Sequence, residues 1–213
     1  MAFIIFDIDG TLCDSFQLGF SATNTVLQNN GFGSVTADQY HAGTKWTTPE
    51  RLARHCGLDP VKDEPAFKSL GSKLGAEFDE LYIGLVSTET APFYPGIGDL
   101  LVKLAGRGKL GALTNAAVAY AERVLDVNRA RGLFAAVHGA DDVPRPKPAP
   151  DGLLQCCREL GMDISSAVYI GDSPSDGAAA RAAGMASIGV TWDRSAKSSQ
   201  VISMPAARAM ATR

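Results

Sequence analysis

No apolar run in this sequence approaches the roughly 18 residues of a membrane span, and no repeat or low-complexity tract interrupts it. The opening MAFIIFD is apolar but short and lacks a basic flank, so it reads as a strand and not as a signal peptide. A cytoplasmic protein without membrane association is expected. Basic charge is scarce too: 20 Lys and Arg against 23 Asp and Glu leave a formal charge of -3. Binding a nucleic-acid backbone requires a basic face, so the balance argues against nucleic acid, whereas a small anionic ligand needs only a local positive site. Cys13, Cys56, Cys156 and Cys157 form no C-x-x-C pair and read as reduced packing thiols. His41, His55 and His138 show no metal-ligand spacing and read as structural. Nothing in the pattern sets an oligomeric state.

What is present is an alternation. Five short apolar segments, beginning at Ala2, Lys109, Ala135, Ala167 and Ala186, are separated by helical patterns. This predicts βαβ units and a mainly parallel sheet covered on both faces, an α/β fold. Such sheets collect ligands at the carboxyl ends of their strands. The stretch from Ser15 to Thr90 breaks the alternation with helices alone. Phe16, Phe20, Thr23 and Leu27 share one helical face and Asn30-Gly31 supplies a stop. Thr36 to Gln39 has the form of a capping box, Thr48 before Pro49 reads as an N-cap, and Gly57 ends that region. Phe67, Leu70, Leu74, Phe78 and Leu81 mark a further amphipathic helix. Tyr94-Pro-Gly-Ile97 marks the return to the sheet, with a helix from near Gly98. In the tail, Gln200 to Ile202 is a candidate edge strand and a short helix is expected near Pro205.

Polar residues gather where strands end. The first strand runs into Asp7-Ile8-Asp9-Gly10-Thr11, which places two carboxylates on one side of an extended segment before a glycine turn. The second runs into Thr114-Asn115, a donor pair suited to phosphoryl oxygens beside a helix start. Four prolines between Pro144 and Pro150 restrict the backbone around Lys147. The fourth strand ends in Gly171-Asp172-Ser173-Pro174-Ser175-Asp176. Gathering this many carboxylates at one edge is costly without a cation, and their hard oxygens suit Mg²⁺.

These four elements, in this order, resemble the four motifs of the haloacid dehalogenase superfamily, most closely its phosphoglycolate-phosphatase-type branch with a helical cap. The resemblance runs from Phe3 to about Trp192. It implies a Rossmann-like parallel-sheet core over residues 1–14 and 91–213, with an inserted α-helical cap over 15–90. It makes Asp7 the nucleophile and a metal ligand, and Asp9 the general acid/base whose backbone carbonyl also binds metal. Thr114 and Asn115 become phosphoryl donors, Lys147 the orienting cation, Asp172 a metal ligand and Asp176 a further, more distant metal partner. The implied activity is Mg²⁺-dependent hydrolysis of a small phosphorylated metabolite, phosphoglycolate-like or a sugar phosphate, through an aspartyl-phosphate. A sugar-phosphate mutase would keep the same motifs, and a non-catalytic phosphate-binding protein should have lost Asp7 or Asp9. The family's glycine is expected where Asp193 stands. In the cap, Gly43 to Pro49 is the candidate specificity loop, with Lys45 positioned to hold a substrate carboxylate or second phosphate.

Overall fold

The structure, a computed structural model, describes residues 2–192 and 199–203. Strand β1 (Ala2–Phe6) is followed by four helices, α1 (Phe16–Asn29), α2 (Ala37–Gly43), α3 (Thr48–His55) and α4 (Glu64–Leu85). Then come α5 (Ile97–Ala105), β2 (Gly108–Leu113), α6 (Val118–Val127), β3 (Phe134–His138), α7 (Asp151–Glu159), β4 (Ala167–Gly171), α8 (Pro174–Ala183), β5 (Ala186–Trp192) and β6 (Ser199–Ser203). The sheet order is β3-β2-β1-β4-β5-β6, with the first five parallel and β6 antiparallel at the edge. All five strands expected from the sequence form, and the Gln200 to Ile202 segment lies within β6. The helix expected near Pro205 and the Asp193 position lie outside the described residues.

Strand β1 shows why the sheet assembles. Its side chains alternate between two buried faces, with Phe3 and Ile5 on one side and Phe6 on the other. Phe3 and Ile5 join Leu153, Cys156 and Cys157 of α7 and Ala179 and Ala180 of α8. Phe6 joins Leu101 of α5, Tyr120 and Val124 of α6, and the inner side chains of α1 and α4. A strand buried on both faces must be apolar throughout, as FIIF is.

The helical segment leaves and rejoins the sheet side by side. Asp14 N donates to Pro92 O at 2.9 Å and Tyr94 N to Leu12 O at 2.9 Å, and Cys13 and Phe93 form an antiparallel bridge between them. Within the segment α3 lies along α4, where Gly71 leaves room for the Pro49 backbone: a Cβ there would meet Pro49 O at 2.7 Å. One cap shifts by a residue. Thr47, not Thr48, precedes the first turn of α3, and Glu50 accepts from Thr47 N at 3.4 Å. Pro49 suits either register, and burial decides between them, because Thr48 is 5% exposed and turns inward.

Asp79 on α4 records the approach of helix and sheet. Its Oδ1 is buried without a hydrogen-bond partner. Burial and then the charge of Asp141, in the loop after β3, push this carboxyl up to about 6, with Arg51 opposing. Ionisation of such an acid costs the folded state. The cost is absent below the unfolded value near 3.8 and full above about 6. Asp79→Asn should therefore raise Tm at pH 7.5 by ~2–4 °C, allowing for the water that still screens this part-exposed group. The gain should vanish by pH 4 in thermal unfolding monitored by circular dichroism; an equal gain at both pH values would place the effect elsewhere.

Candidate active site

The carboxyl ends of β1, β2 and β4 and the loop after β3 converge on one point. Asp7 is buried where β1 ends, with its N–H donating to Ile170 O at 2.8 Å. Gly10 then turns the chain with φ +73°, and its missing side chain makes room for Asp172, whose Oδ2 would lie 2.2 Å from a Cβ there. Gly171 does the same for Asp176, whose Cγ would sit 2.4 Å from a Cβ. Both glycines are required by close approach to a carboxylate.

Lys147 is the centre of the arrangement. Its ammonium is 2.9 Å from Asp7 Oδ1 and 2.7 Å from Asp176 Oδ1, and it donates to Tyr169 OH at 3.0 Å and Leu113 O at 3.3 Å. Burial works to lower this lysine, but Asp176 and Asp7 overcome it and hold the group above its ordinary value. Asn115 fixes the lysine's backbone from both sides: Lys147 N donates to Asn115 Oδ1 at 3.0 Å, and Asn115 Nδ2 donates to Lys147 O at 2.9 Å. Burial also acts to raise Asp176, yet Lys147 and the Ser173 donors hold its carboxyl below the usual range. Asp7, buried and facing Asp176, is raised well above its ordinary value in spite of Lys147. Asp172 opens to the cavity, and desolvation and then the Asp176 charge push it up to about 7.

Asp9 points away from this cluster. Its Oδ1 accepts from Ser15 Oγ, from Tyr120 OH at 2.5 Å and from Tyr82 OH at 3.4 Å, while Thr114 Oγ1 stands 3.5 Å from Oδ2. Burial, then the Asp9 charge, raises both phenols far above their ordinary range, so they remain donors. Tyr82 and Tyr120 also stack at 4.3 Å between centroids. Sequence patterning places these tyrosines only as core aromatics on helical faces. Ser15 is likewise legible only as the residue preceding α1.

A cavity of about 140 Å³ lies between the sheet edge and the helical segment, with Asp176, Tyr169 and Tyr120 behind its wall. Asp7, Asp9, Thr114, Asn115, Lys147 and Asp172 line it. Lys45 is not among its lining residues: the side chain is exposed, with its ammonium 4.7 Å above the Trp46 ring. The lining cation from the helical segment is Arg51, which was not singled out in the sequence. Its signal was present, because Arg51 lies three residues after Thr48 and beside Leu52 on the buried stripe of α3. Asp7, Asp172 and Asp176 each offer an oxygen within 4.8 Å of the others, a grouping able to hold a metal ion.

Removing the Lys147 ammonium strands two buried carboxylates. Lys147→Met should lower Tm by roughly 6–20 °C, the range for breaking one partner of a buried ion pair in a chain of this size. Adding Asp176→Asn, which removes one stranded charge and keeps an acceptor for Ser173 and Tyr169, should recover several degrees. A double variant no more stable than Lys147→Met alone would show that the lysine acts by packing and not by charge.

Comparison with known proteins bears on the family of the chain. The family model described as haloacid dehalogenase-like hydrolase matches residues 4–190. The phosphoglycolate phosphatases of Escherichia coli strain K12 and of Salmonella typhi are each 30% identical over 206 residues, covering 89% of this chain and 81% of theirs. Among solved structures, the phosphate complex of CbbY from Rhodobacter sphaeroides aligns with TM-score 0.75 at 26% identity, over 88% of this chain and 85% of that one. The complex of the same protein with xylulose-(1,5)-bisphosphate aligns with TM-score 0.76 at 25% identity and the same coverage.

Proposed function

The chain belongs to the haloacid dehalogenase-like hydrolase family, and on that premise we propose that it is a Mg²⁺-dependent phosphatase that hydrolyses a small phosphomonoester through an aspartyl-phosphate on Asp7. The observation that carries this reading is the placement of Lys147 between Asp7 and Asp176, both pairs closer than 3 Å. Asp7 Oδ1 is fixed by Lys147 and by Ile8 N, which leaves Oδ2 as the attacking oxygen. A carboxylate meeting a phosphate dianion is repelled by about 4 kcal/mol per charge pair at 4 Å and an effective dielectric of 20. The buried ammonium offsets part of that repulsion without any reorganisation.

The residues present fit a magnesium ion: Asp7 and Asp172 offer hard oxygens, and Asp172 is pushed up to about 7 by desolvation and then by the Asp176 charge, which a cation there would offset. When bound there, with the Asp9 carbonyl as a further ligand, the ion supplies neutralising charge at the phosphoryl oxygens. Asp176 has its oxygens filled by Lys147, Tyr169 and Ser173, so its part is to anchor the lysine.

In the first step Asp7 Oδ2 forms a bond to phosphorus as the ester P–O bond breaks, and Asp9 gives its proton to the departing alkoxide. In the second, Asp9 takes a proton from a water that attacks the same phosphorus, releasing inorganic phosphate and restoring Asp7. Thr114 and Asn115 lie within reach of the phosphoryl oxygens as donors. Residues 15–90 act as the cap and 1–14 with 91–213 as the core, joined at the paired crossing of residues 12–14 and 92–94. The phosphoglycolate phosphatases that the chain resembles make a phosphoglycolate-like substrate the first candidate. Four free cysteines suit the reducing cytoplasm.

Asp7→Asn should lower turnover of p-nitrophenyl phosphate by on the order of 10⁴-fold or more, and chelation of Mg²⁺ should abolish turnover in the parent enzyme. Undiminished turnover in purified Asp7→Asn sinks the covalent route. Asp9→Asn should lose about 10²–10⁴-fold on an alkyl phosphate and less on p-nitrophenyl phosphate, whose leaving group departs without a proton. Rapid-quench trapping of acid-stable, hydroxylamine-sensitive phosphoprotein from that variant checks the intermediate directly.

A further inference from the structure

The two oxygens of Asp9 stand in different surroundings, and its own motif does not explain why. A carboxyl oxygen offers two lone-pair sites. At Oδ1 both are filled, by the hydroxyl of Ser15 and by that of Tyr120 at 2.5 Å. At Oδ2 the partner is Thr114 Oγ1 at 3.5 Å, the outer limit of such a contact. Asp9 and Thr114 line the cavity, whereas Tyr120 stands behind its wall. Oδ1 is therefore turned into the protein and Oδ2 lies on the side of the phosphoryl donors.

Tyr120 is held in its turn. It is fully buried on α6, Tyr82 of α4 is 4% exposed, and their rings stack at 4.3 Å with 20° between the planes. The Tyr82 hydroxyl has one proton for two acceptors, the Tyr120 hydroxyl at 3.1 Å and Asp9 Oδ1 at 3.4 Å. A hydroxyl that accepts a hydrogen bond donates a stronger one, so Tyr82 reinforces the bond from Tyr120 to Asp9. Packing alone gives no account of this, because two phenylalanines would stack in the same space without burying two polar atoms.

We propose that Tyr120, supported by Tyr82, is a positioning residue for Asp9: by filling Oδ1 it leaves Oδ2 as the oxygen that exchanges a proton with the leaving group and with water. The inference rests on the phosphatase reading and adds to it the device that fixes the proton on one side of the acid. A carboxyl proton on Oδ1 would have to displace Ser15 or Tyr120, so it occupies Oδ2. As the ester P–O bond breaks, that proton passes to the departing alkoxide and Asp9 is left as a carboxylate. As water bonds to phosphorus and the bond from Asp7 breaks, the water's proton returns to Oδ2. Neither phenol gives up its own proton. Without the Tyr120 hydroxyl, Oδ1 has a vacant site, and the proton divides between an oxygen that faces the substrate and one that does not.

Tyr120→Phe keeps the ring and removes the hydroxyl. The test compares kcat/KM, which counts the steps up to phosphorylated Asp7, for ethyl, phenyl and p-nitrophenyl phosphate in the parent enzyme, Tyr120→Phe and Tyr82→Phe. Tyr120→Phe should lose about 10- to 100-fold on ethyl phosphate, the scale of one hydrogen bond to a charged group. On p-nitrophenyl phosphate, whose leaving group departs without a proton, the loss should stay under about threefold. Tyr82→Phe should show the same pattern at smaller amplitude, and it carries the test if Tyr120→Phe does not fold. With phenyl phosphate, adding Tyr120→Phe to Asp9→Asn should cost no more than about a further twofold, because the group it acts through is gone. A residue that only holds α4 against α6 would slow all three esters alike and cost the same factor in the Asp9→Asn background; either result overturns the proposal. Undiminished rates in both tyrosine variants overturn it too. In each of these cases the parent still turns over and the phosphatase reading stands, whereas a parent that hydrolyses none of the three esters sinks both.

Discussion

Two neighbouring acidic side chains cannot both be buried and ionised unless something positive stands between them, and between Asp7 and Asp176 that is the Lys147 ammonium. Three segments far apart in sequence must meet to bring it there: Asp7 after β1, Lys147 in the proline-rich loop after β3, and Asp176 in the first turn of α8. The parallel order, with β1 between β2 and β4, is what puts their carboxyl ends side by side. Asn115 at the end of β2 braces the lysine's backbone, and Tyr169 shares its hydroxyl with both Lys147 and Asp176. The neighbourhood is satisfied as a network, the condition under which a buried ion pair is tolerated. Asp7 thereby keeps one oxygen fixed and the other open, the asymmetry a nucleophile needs.

The sheet and the polar cluster at its carboxyl edge were legible in the sequence for a physical reason. A strand buried on both faces is apolar at every position, so FIIF and its counterparts stand out, and polar residues that interrupt the chain at the strand ends stand out against them. The motifs of Asp7, Asp9, Thr114, Lys147 and Asp172 were visible through that contrast. The helical side was less legible, because a cation on an amphipathic helix is by default a solvated one. Lys45 stands in a loop with Gly43 and Trp46 and looked positioned, yet its side chain is exposed with the ammonium over the Trp46 ring. Arg51 was not singled out, and only the packing of α3 against α4 shows that its side of the helix faces inward. The shift of the α3 cap from Thr48 to Thr47 has the same origin. Tyr82 and Tyr120 were invisible as polar groups for another reason: most of a tyrosine's surface is ring, and their hydroxyls acquire a task only when two helices meet over Asp9.

That meeting ties the helical segment to the reacting edge. One oxygen of Asp9 receives hydroxyls from Ser15, where the segment begins, from Tyr82 near its end, and from Tyr120 in α6. The first two lie close to the paired crossings through which the segment is attached, so any rotation about those crossings moves both donors relative to Asp9. Tyr120 belongs to a helix packed on the sheet and would stay. Three hydrogen bonds from three elements fix a carboxyl group far better than one, and they also make its orientation depend on where the segment stands. Under the proposed mechanism the proton-transferring group is then aligned only when the cavity above it is closed.

The charge balance of the cavity explains how an acidic protein can handle anions. Four acidic side chains, Asp7, Asp9, Asp172 and Asp176, stand at the sheet edge around Lys147, and burial together with the Asp176 charge raises Asp7 and Asp172 above their ordinary values, a strain that a cation at that edge would relieve. On the helical side Arg51 lines the cavity, and among the described residues no carboxylate lies within ion-pair range of it. The formal charge of -3 for the whole chain therefore says little about its ligand. What matters is where a few buried charges stand, Lys147 among the carboxyl groups of the sheet edge and Arg51 on the helical side of the same cavity.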